Sequence, residues 1–206
     1  MSATPTGRRL SARARREQLL GLAADLFARH GYHGLSMEQI ADAAGVSKPV
    51  LYQHFTGKRE LYLAVVRAMV HKMESQLHAA LQGPPDAPSR VEEAISTYFG
   101  FVEDRRYRLA LDQDDLADPV VRAEVSAATR RVAEQVGAMI AEDTGLPTEA
   151  AALLASAMRG VATEGSRWWD AHRTVERDQA VRLLTTLVWN GLGSMGGTRA
   201  REDPER

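Results

Sequence analysis

The chain is predicted to be all-α, a small N-terminal three-helix unit with a helix-turn-helix followed by a larger helical unit, and three observations predict it. No stretch alternates apolar and polar residues with the period of a half-buried strand. Ala, Leu, Arg and Glu dominate, all residues that lose little on entering a helix. Helix start and stop signals recur: Ser36 with Gln39, Ser89 with Glu92, Asp118 before Pro119, and glycines after apolar runs.

Taken in order, residues 1–10 hold Pro5, Gly7 and small polar groups and read as a flexible basic arm. A first helix is expected over about 11–30, with Leu19, Ala23, Leu26 and Phe27 as its apolar stripe. Gly31 and Gly34 end it. Ser36 and Gln39 form a capping box that opens a short helix carrying Ile40, Ala41 and Ala44. Gly45 stops it in the left-handed conformation a tight turn needs, and Val46 fills the turn. Ser47 caps the next short helix, Pro49 is tolerated in its first turn, and Leu51 and Phe55 face inward. After Thr56-Gly57 a long helix is expected over about 58–81, roughly 36 Å at 1.5 Å per residue. Residues 83–88 form a Gly/Pro linker. Further helices are expected from Ser89 to about 104, over 107–116, from the Asp118-Pro119 start to about 143, from Pro147-Thr148 to about 171, and from Thr174 into the glycines at 191–197. The domains are therefore expected at 11–57 and 58–198, with a disordered charged tail at 199–206.

With 206 residues, 44% of them hydrophobic, the chain can bury a real core. It has no cysteine, which excludes disulfides and thiolate chemistry and fits the reducing cytoplasm. No apolar run approaches the ~20 residues of a membrane span, and no signal peptide is visible at the N-terminus, so no membrane partner is expected. Charge is uneven: residues 1–60 carry nine cations and five anions, the remainder 17 and 22. A basic front and an acidic back suggest a polyanionic partner for the front alone. No nucleophile–base pattern and no phosphate loop appears, so neither enzymatic activity nor a cofactor is expected. His71, Glu74 and His78 share a helix face at a spacing metals use, but that face also carries Arg67 and reads as a solvated polar surface. Asp112, Asp114 and Asp115 read as a polar loop.

Two short helices joined by a glycine turn match a helix-turn-helix. The second is about two turns long and fits a ~12 Å major groove. Its outer residues, Lys48, Pro49, Val50, Gln53 and His54, are left to face DNA. The helix starts at Ser36, Ser47 and Lys58 present free N–H groups suited to phosphate oxygens.

From Gly31-Tyr32-His33-Gly34 to Leu61 the chain resembles the TetR family of regulators, through Ile40-Ala41, Ala44-Gly45-Val46-Ser47, Leu51-Tyr52, His54-Phe55 and Lys58. The resemblance implies DNA contacts within 47–54: phosphate contacts from Tyr52, His54 and Lys58, and base or thymine-methyl contacts from Lys48, Pro49 and Val50. Alternatives stay open: Tyr52 packing under the preceding helix, His54 simply solvated, Lys48 on a phosphate. Arg8, Arg9 and Arg13 form an arm that some members lay in the minor groove. The resemblance also implies a ligand-binding and dimerisation domain, a homodimer formed by the last two long helices, and an operator of double-stranded DNA with two half-sites. In those helices, Ala155, Ala157 and Gly160 would permit close approach. Residues considered for the ligand pocket are Phe99, Phe101, Tyr107, Leu109, Leu111, Met139, Met158 and Trp168, each open to a plain core role. Gly31-Tyr32-His33, Gly45 through Phe55, Glu60 through Val65, Tyr107-Arg108-Leu109, Asp114 and 189–192 are similar to an actinobacterial subgroup linked to fatty-acid synthesis genes. That likeness implies a small apolar effector, long-chain acyl-CoA; the alternative is a drug-responsive repressor of an efflux pump.

Overall fold

The computed structural model describes residues 11–84, 86–107 and 118–196, with side chains as far as Gly191. In these residues α1 (Ala12–His30), α2 (Met37–Ala43), α3 (Lys48–His54), α4 (Lys58–Gln82), α5 (Ala87–Glu103), a 3-10 turn (Arg105–Tyr107), α6 (Pro119–Thr144), α7 (Thr148–His172) and α8 (Arg177–Gly196) follow one another. No described residue lies in a strand. No helix among them is long and apolar enough to cross a membrane. The chain divides into two compact units, residues 1–69 and 70–206, a division that falls within α4. Arg8, Arg9, Leu109, Leu111, the aspartates of 112–115, most of the 107–116 helix and the 199–206 tail lie outside the described residues.

In the first unit, Leu19, Ala23, Leu26 and Phe27 of α1 are buried, as their spacing predicts, together with Ile40, Leu51, Phe55 and Leu61. The capping box forms: Gln39 N–H donates to Ser36 Oγ at 3.2 Å, and Ser36 N–H donates to Gln39 Oε1 at 2.8 Å. Gly45 takes φ +63°, the left-handed value required by the turn. Ser47 precedes α3 but makes no side-chain cap bond. A cap side chain accepts from the second or third helical N–H; Pro49 has none, and Val50 N–H goes to Ser47 carbonyl oxygen at 3.0 Å.

In the second unit α7 packs on α5, α6 and α8, and α5 also packs on α8. Ile95, Phe99, Ala162, Trp169, Val181 and Val188 make the core where α5, α7 and α8 meet. A Cβ on Gly137 would lie 3.5 Å from Ala152 Cα, so α6 and α7 come close at that point. Of the small residues expected to permit close approach to a partner's helices, Ala155 is buried within the single chain, and Ala157 and Gly160 are open in it. Two starts differ from expectation. Asp86, not Ser89, caps α5: its Oδ1 accepts from Ser89 N–H at 2.9 Å, and Pro88 sits in the first turn. The last helix begins at Arg177 and not Thr174, because the Trp169 indole N–H holds the Val175 carbonyl at 2.8 Å, keeping that peptide in the connection. The polar face of α4 is a solvated surface, with His71 and His78 exposed, and it also carries links to α6: Glu74 accepts from Arg131 at 2.7 Å, and His78 Nδ1 meets Gln135 Nε2 at 2.8 Å.

Gly34 and Gly45 separate two costs. A Cβ at Gly45 meets nothing within 4 Å, so Gly45→Ala should cost only the left-handed backbone penalty, about 1–2 kcal/mol. A Cβ at Gly34 would stand 2.3 Å from the His30 carbonyl oxygen, so Gly34→Ala should lower the urea midpoint further. A smaller loss at Gly34 than at Gly45 would contradict this turn geometry.

Candidate nucleic-acid interface and ligand cavity

The α2–α3 pair presents one polar face. Leu51 and Phe55 are 0% and 1% exposed and anchor α3, and the Arg16 guanidinium lies 4.6 Å from the Phe55 ring centre. Lys48 and Tyr52, and likewise Pro49 and Gln53, are i,i+4 neighbours, and all four are exposed. Tyr52 is 43% exposed, so its ring is not packed away under α2. Val50 and His54 are half-buried at the flank. Ser36 is exposed with its hydroxyl used in the capping box. Arg13 pairs with Glu17 at 3.0 Å along α1.

Two cations on this unit are held in place. Lys58 Nζ donates to the Leu35 carbonyl at 2.8 Å and sits 4.5 Å from the Tyr32 ring centre, which fixes the start of α4 against the turn before α2. Lys48 pairs with Glu38 across α2 and α3. That bond lowers the Glu38 carboxyl below its ordinary pKa and raises the Lys48 ammonium above its own. Both therefore stay charged through neutral pH, and the pair is lost as pH falls through the lowered Glu38 value or rises through the raised Lys48 value. Glu60, also lowered, accepts from the Thr56 hydroxyl at 2.7 Å and from its N–H. Glu38 and Arg16 escape local sequence reading because their partners lie ten or more residues away.

The second unit contains an apolar cavity in two adjoining lobes that share Leu81, Val91, Val136 and Met158. The inner, narrower lobe adds Leu77, Ile95, Tyr98 and Arg159. The outer lobe, about 370 Å³, adds Met139, Trp189 and a polar rim where Arg90 and Asp143 pair at 3.3 Å. Burial raises the Tyr98 phenol pKa, and Arg159 opposes that rise.

Of the residues considered for a pocket, Met139 and Met158 line this cavity. Four others do not. Phe99, 0% exposed, packs on Trp169 with ring centres 5.1 Å apart. Phe101 packs on Tyr107 at 4.8 Å, and the Tyr107 hydroxyl donates to Gln76 Oε1 at 3.0 Å. Trp168 is 54% exposed and stacks on His172. The cavity wall is instead mostly aliphatic, with Tyr98 and Trp189 as its aromatic members, and nothing in local spacing marks Leu77, Val91 or Val136 as lining rather than core.

Residues 19–65 match the family described as bacterial regulatory proteins, tetR family, and residues 76–203 match the tetracyclin repressor-like C-terminal domain. The chain is 38% identical over 197 residues to the HTH-type transcriptional activator FasR of Mycolicibacterium smegmatis, covering 94% of this chain and 90% of that protein. A TetR-like transcriptional regulator from Rhodococcus sp. RHA1 superposes with a TM-score of 0.71 at 27% identity, covering 90% of this chain and 99% of that one. AibR, solved with isovaleryl coenzyme A and operator DNA, superposes with a TM-score of 0.66 at 20% identity, covering 84% of this chain and 97% of that one.

Filled core and open cavity should respond oppositely to a change of volume. Phe99→Ala is expected to cost about 3–5 kcal/mol of unfolding free energy. Val136→Phe, which adds volume into empty space, should stay within about 1 kcal/mol of the parent. Chemical denaturation measures both, and a large loss from Val136→Phe would mean that the cavity is packed.

Proposed function

The chain belongs to the TetR family of bacterial regulatory proteins, a transcriptional regulator and not an enzyme, and from that premise we propose that it binds a two-half-site operator as a homodimer and that a long-chain acyl-CoA in its cavity sets operator affinity. The observation that carries the effector reading is the two-lobed cavity: an aliphatic wall for a chain, and charged residues for a polar head, Arg159 in one lobe and the Arg90–Asp143 pair at the rim of the other. AibR, a protein of the same fold, is described with both an acyl-CoA and operator DNA, which supports the pairing of these two partners.

On the DNA side, α3 enters the major groove with Lys48, Pro49, Val50, Tyr52, Gln53 and His54 toward it, while Ser36, Ser47 and Lys58 lie along the phosphates. Lys48 exchanges Glu38 for DNA. In the dimer, the apolar faces of α7 and α8 meet their copies. Leu153, Leu183 and Leu187 are 71%, 58% and 63% exposed in the single chain, far more than isolated surface apolar residues need to be. Trp168 falls on the Leu153 face of α7 and belongs to this interface, not to the pocket. The ligand acts through its different affinity for two states. Leu77 and Leu81 line the cavity from α4, the helix that begins at Lys58, so a change at one end of that helix is carried along it to the other.

Native mass spectrometry with and without tetradecanoyl-CoA tests subunit number and effector together. A dimer taking one ligand per subunit is expected. A dimer indifferent to it removes the acyl-CoA assignment and turns attention to planar drug-like effectors, whereas a strict monomer removes the two-half-site mechanism.

Lys58→Ala should weaken binding to specific and nonspecific DNA alike and reduce the slope of log K against log salt by about one. A slope that stays put would assign Lys58 purely to bracing Leu35 and Tyr32.

A further inference from the structure

We propose that Arg159, with the Tyr98 hydroxyl in the same lobe, is an anion-binding element inside the apolar cavity, making the protein selective for single-chain amphiphiles with an acidic oxygen group over neutral chains of equal length. The inference rests on the effector reading above and adds the chemical feature by which the effector is chosen.

Arg159 is half-buried on α7 and, among the described residues, is the one charged residue in the lining of the inner lobe. Among the described residues its guanidinium has neither a hydrogen bond nor an ion pair. Other half-buried arginines of this unit do have carboxylate partners: Arg90 holds Asp143, Arg106 holds Asp104, and Arg177 holds Glu103. A cation taken from water into apolar surroundings without a partner costs free energy, and a fold keeps such an arrangement where a ligand completes it. The planar fork of a guanidinium matches carboxylate and phosphate oxygens. Tyr98 adds a second donor. Burial keeps its phenol protonated, and its hydroxyl makes no hydrogen bond among the described residues.

A plain hydrocarbon tail ending at Arg159 offers the cation no partner, and neither does a neutral drug. An acidic oxygen group satisfies it, and two sources supply one: the carboxylate of a free fatty acid, or a phosphate of the nucleotide portion of an acyl-CoA. Aliphatic side chains from Leu77 to Met158 then bury the chain.

The test is equilibrium binding of tetradecanoate, tetradecanoyl-CoA and tetradecanol to the full chain, read by calorimetry, for the parent, Arg159→Met and Arg159→Lys. Arg159→Met is expected to weaken one or both acidic ligands about 10- to 100-fold while leaving the alcohol within a few-fold. Arg159→Lys, which keeps charge but not the fork, should fall between. A loss confined to tetradecanoate assigns the site to a carboxylate, and one confined to tetradecanoyl-CoA assigns it to a phosphate. Unchanged affinity for both acidic ligands overturns the inference, as does an equal loss for the alcohol, whose binding reports an intact cavity. If the parent takes up none of the three, the effector reading itself fails and the selectivity falls with it.

Discussion

A seven-residue helix cannot hold itself together in water, and the recognition face of this protein is built from two of them. Forming the first turn costs more than it returns, and isolated helices much shorter than ~12–15 residues are marginal. α2 and α3 therefore exist because other groups hold their ends and one side. Ser36 and Gln39 satisfy each other's N–H groups at the start of α2. Gly45 turns the chain without strain, and Val46 N–H closes on the Ala41 carbonyl at 3.1 Å. Ile40, Leu51 and Phe55 carry the burial. What remains exposed is set by what had to be buried. With Leu51 and Phe55 committed inward, the i,i+4 pairs Lys48–Tyr52 and Pro49–Gln53 have only the outside left.

The second unit solves a different problem, since it must be stable while keeping a void. Its stability is concentrated where α5, α7 and α8 meet, with Phe99 and Trp169 in contact and the indole N–H satisfied by the Val175 carbonyl. The void adjoins that core directly. Ile95 and Ala162 belong to the core and also line the cavity, and Val91, Tyr98 and Met158 pack on the core while walling the void. Polar seams brace the open side: Glu74 with Arg131, His78 with Gln135, and Arg90 with Asp143. Exposed ion pairs contribute little individually, and their part here is to set spacing rather than to supply most of the stability.

How much of this could be read in the sequence depends on how local the cause was. The turn at Gly45, the capping box at Ser36, the Asp118 cap and the inward Leu51 and Phe55 were legible because each depends on a few neighbouring residues. Ser47 looked like a cap and is not, because Pro49 removes one of the N–H groups that such a cap would use. The helix start at Thr174 was misplaced because a side chain earlier in the chain, Trp169, captures the Val175 carbonyl. The pocket was legible only at Met139 and Met158. Large aromatic residues suggested a ligand wall, yet Phe99, Phe101 and Tyr107 are the residues that fill space most completely, and they pack against each other and their neighbours. A cavity is left where side chains fall short of filling the gap, and that depends on three-dimensional distances between helices that no spacing rule encodes.

The cations of the molecule fall into two classes. Lys48 and Lys58 are already partnered, one by Glu38 and the other by a carbonyl and an aromatic face, so each is oriented before any nucleic acid arrives. Binding DNA then exchanges or adds a partner at a surface where water and salt moderate the cost. Arg159 is half-buried against an aliphatic wall, where such moderation is weaker and a partner counts for more. The surface cations are thus suited to contacts that strengthen or weaken with salt, and the cavity cation to a contact that distinguishes one ligand chemistry from another. A ligand that satisfies Arg159 changes the balance of forces among α4, α5, α6 and α7, because those four helices wall its lobe. A ligand that merely fills the lobe would add burial but leave the charge uncompensated. On that proposal, the differential affinity between two states that any effector requires has its physical source in the half-buried guanidinium.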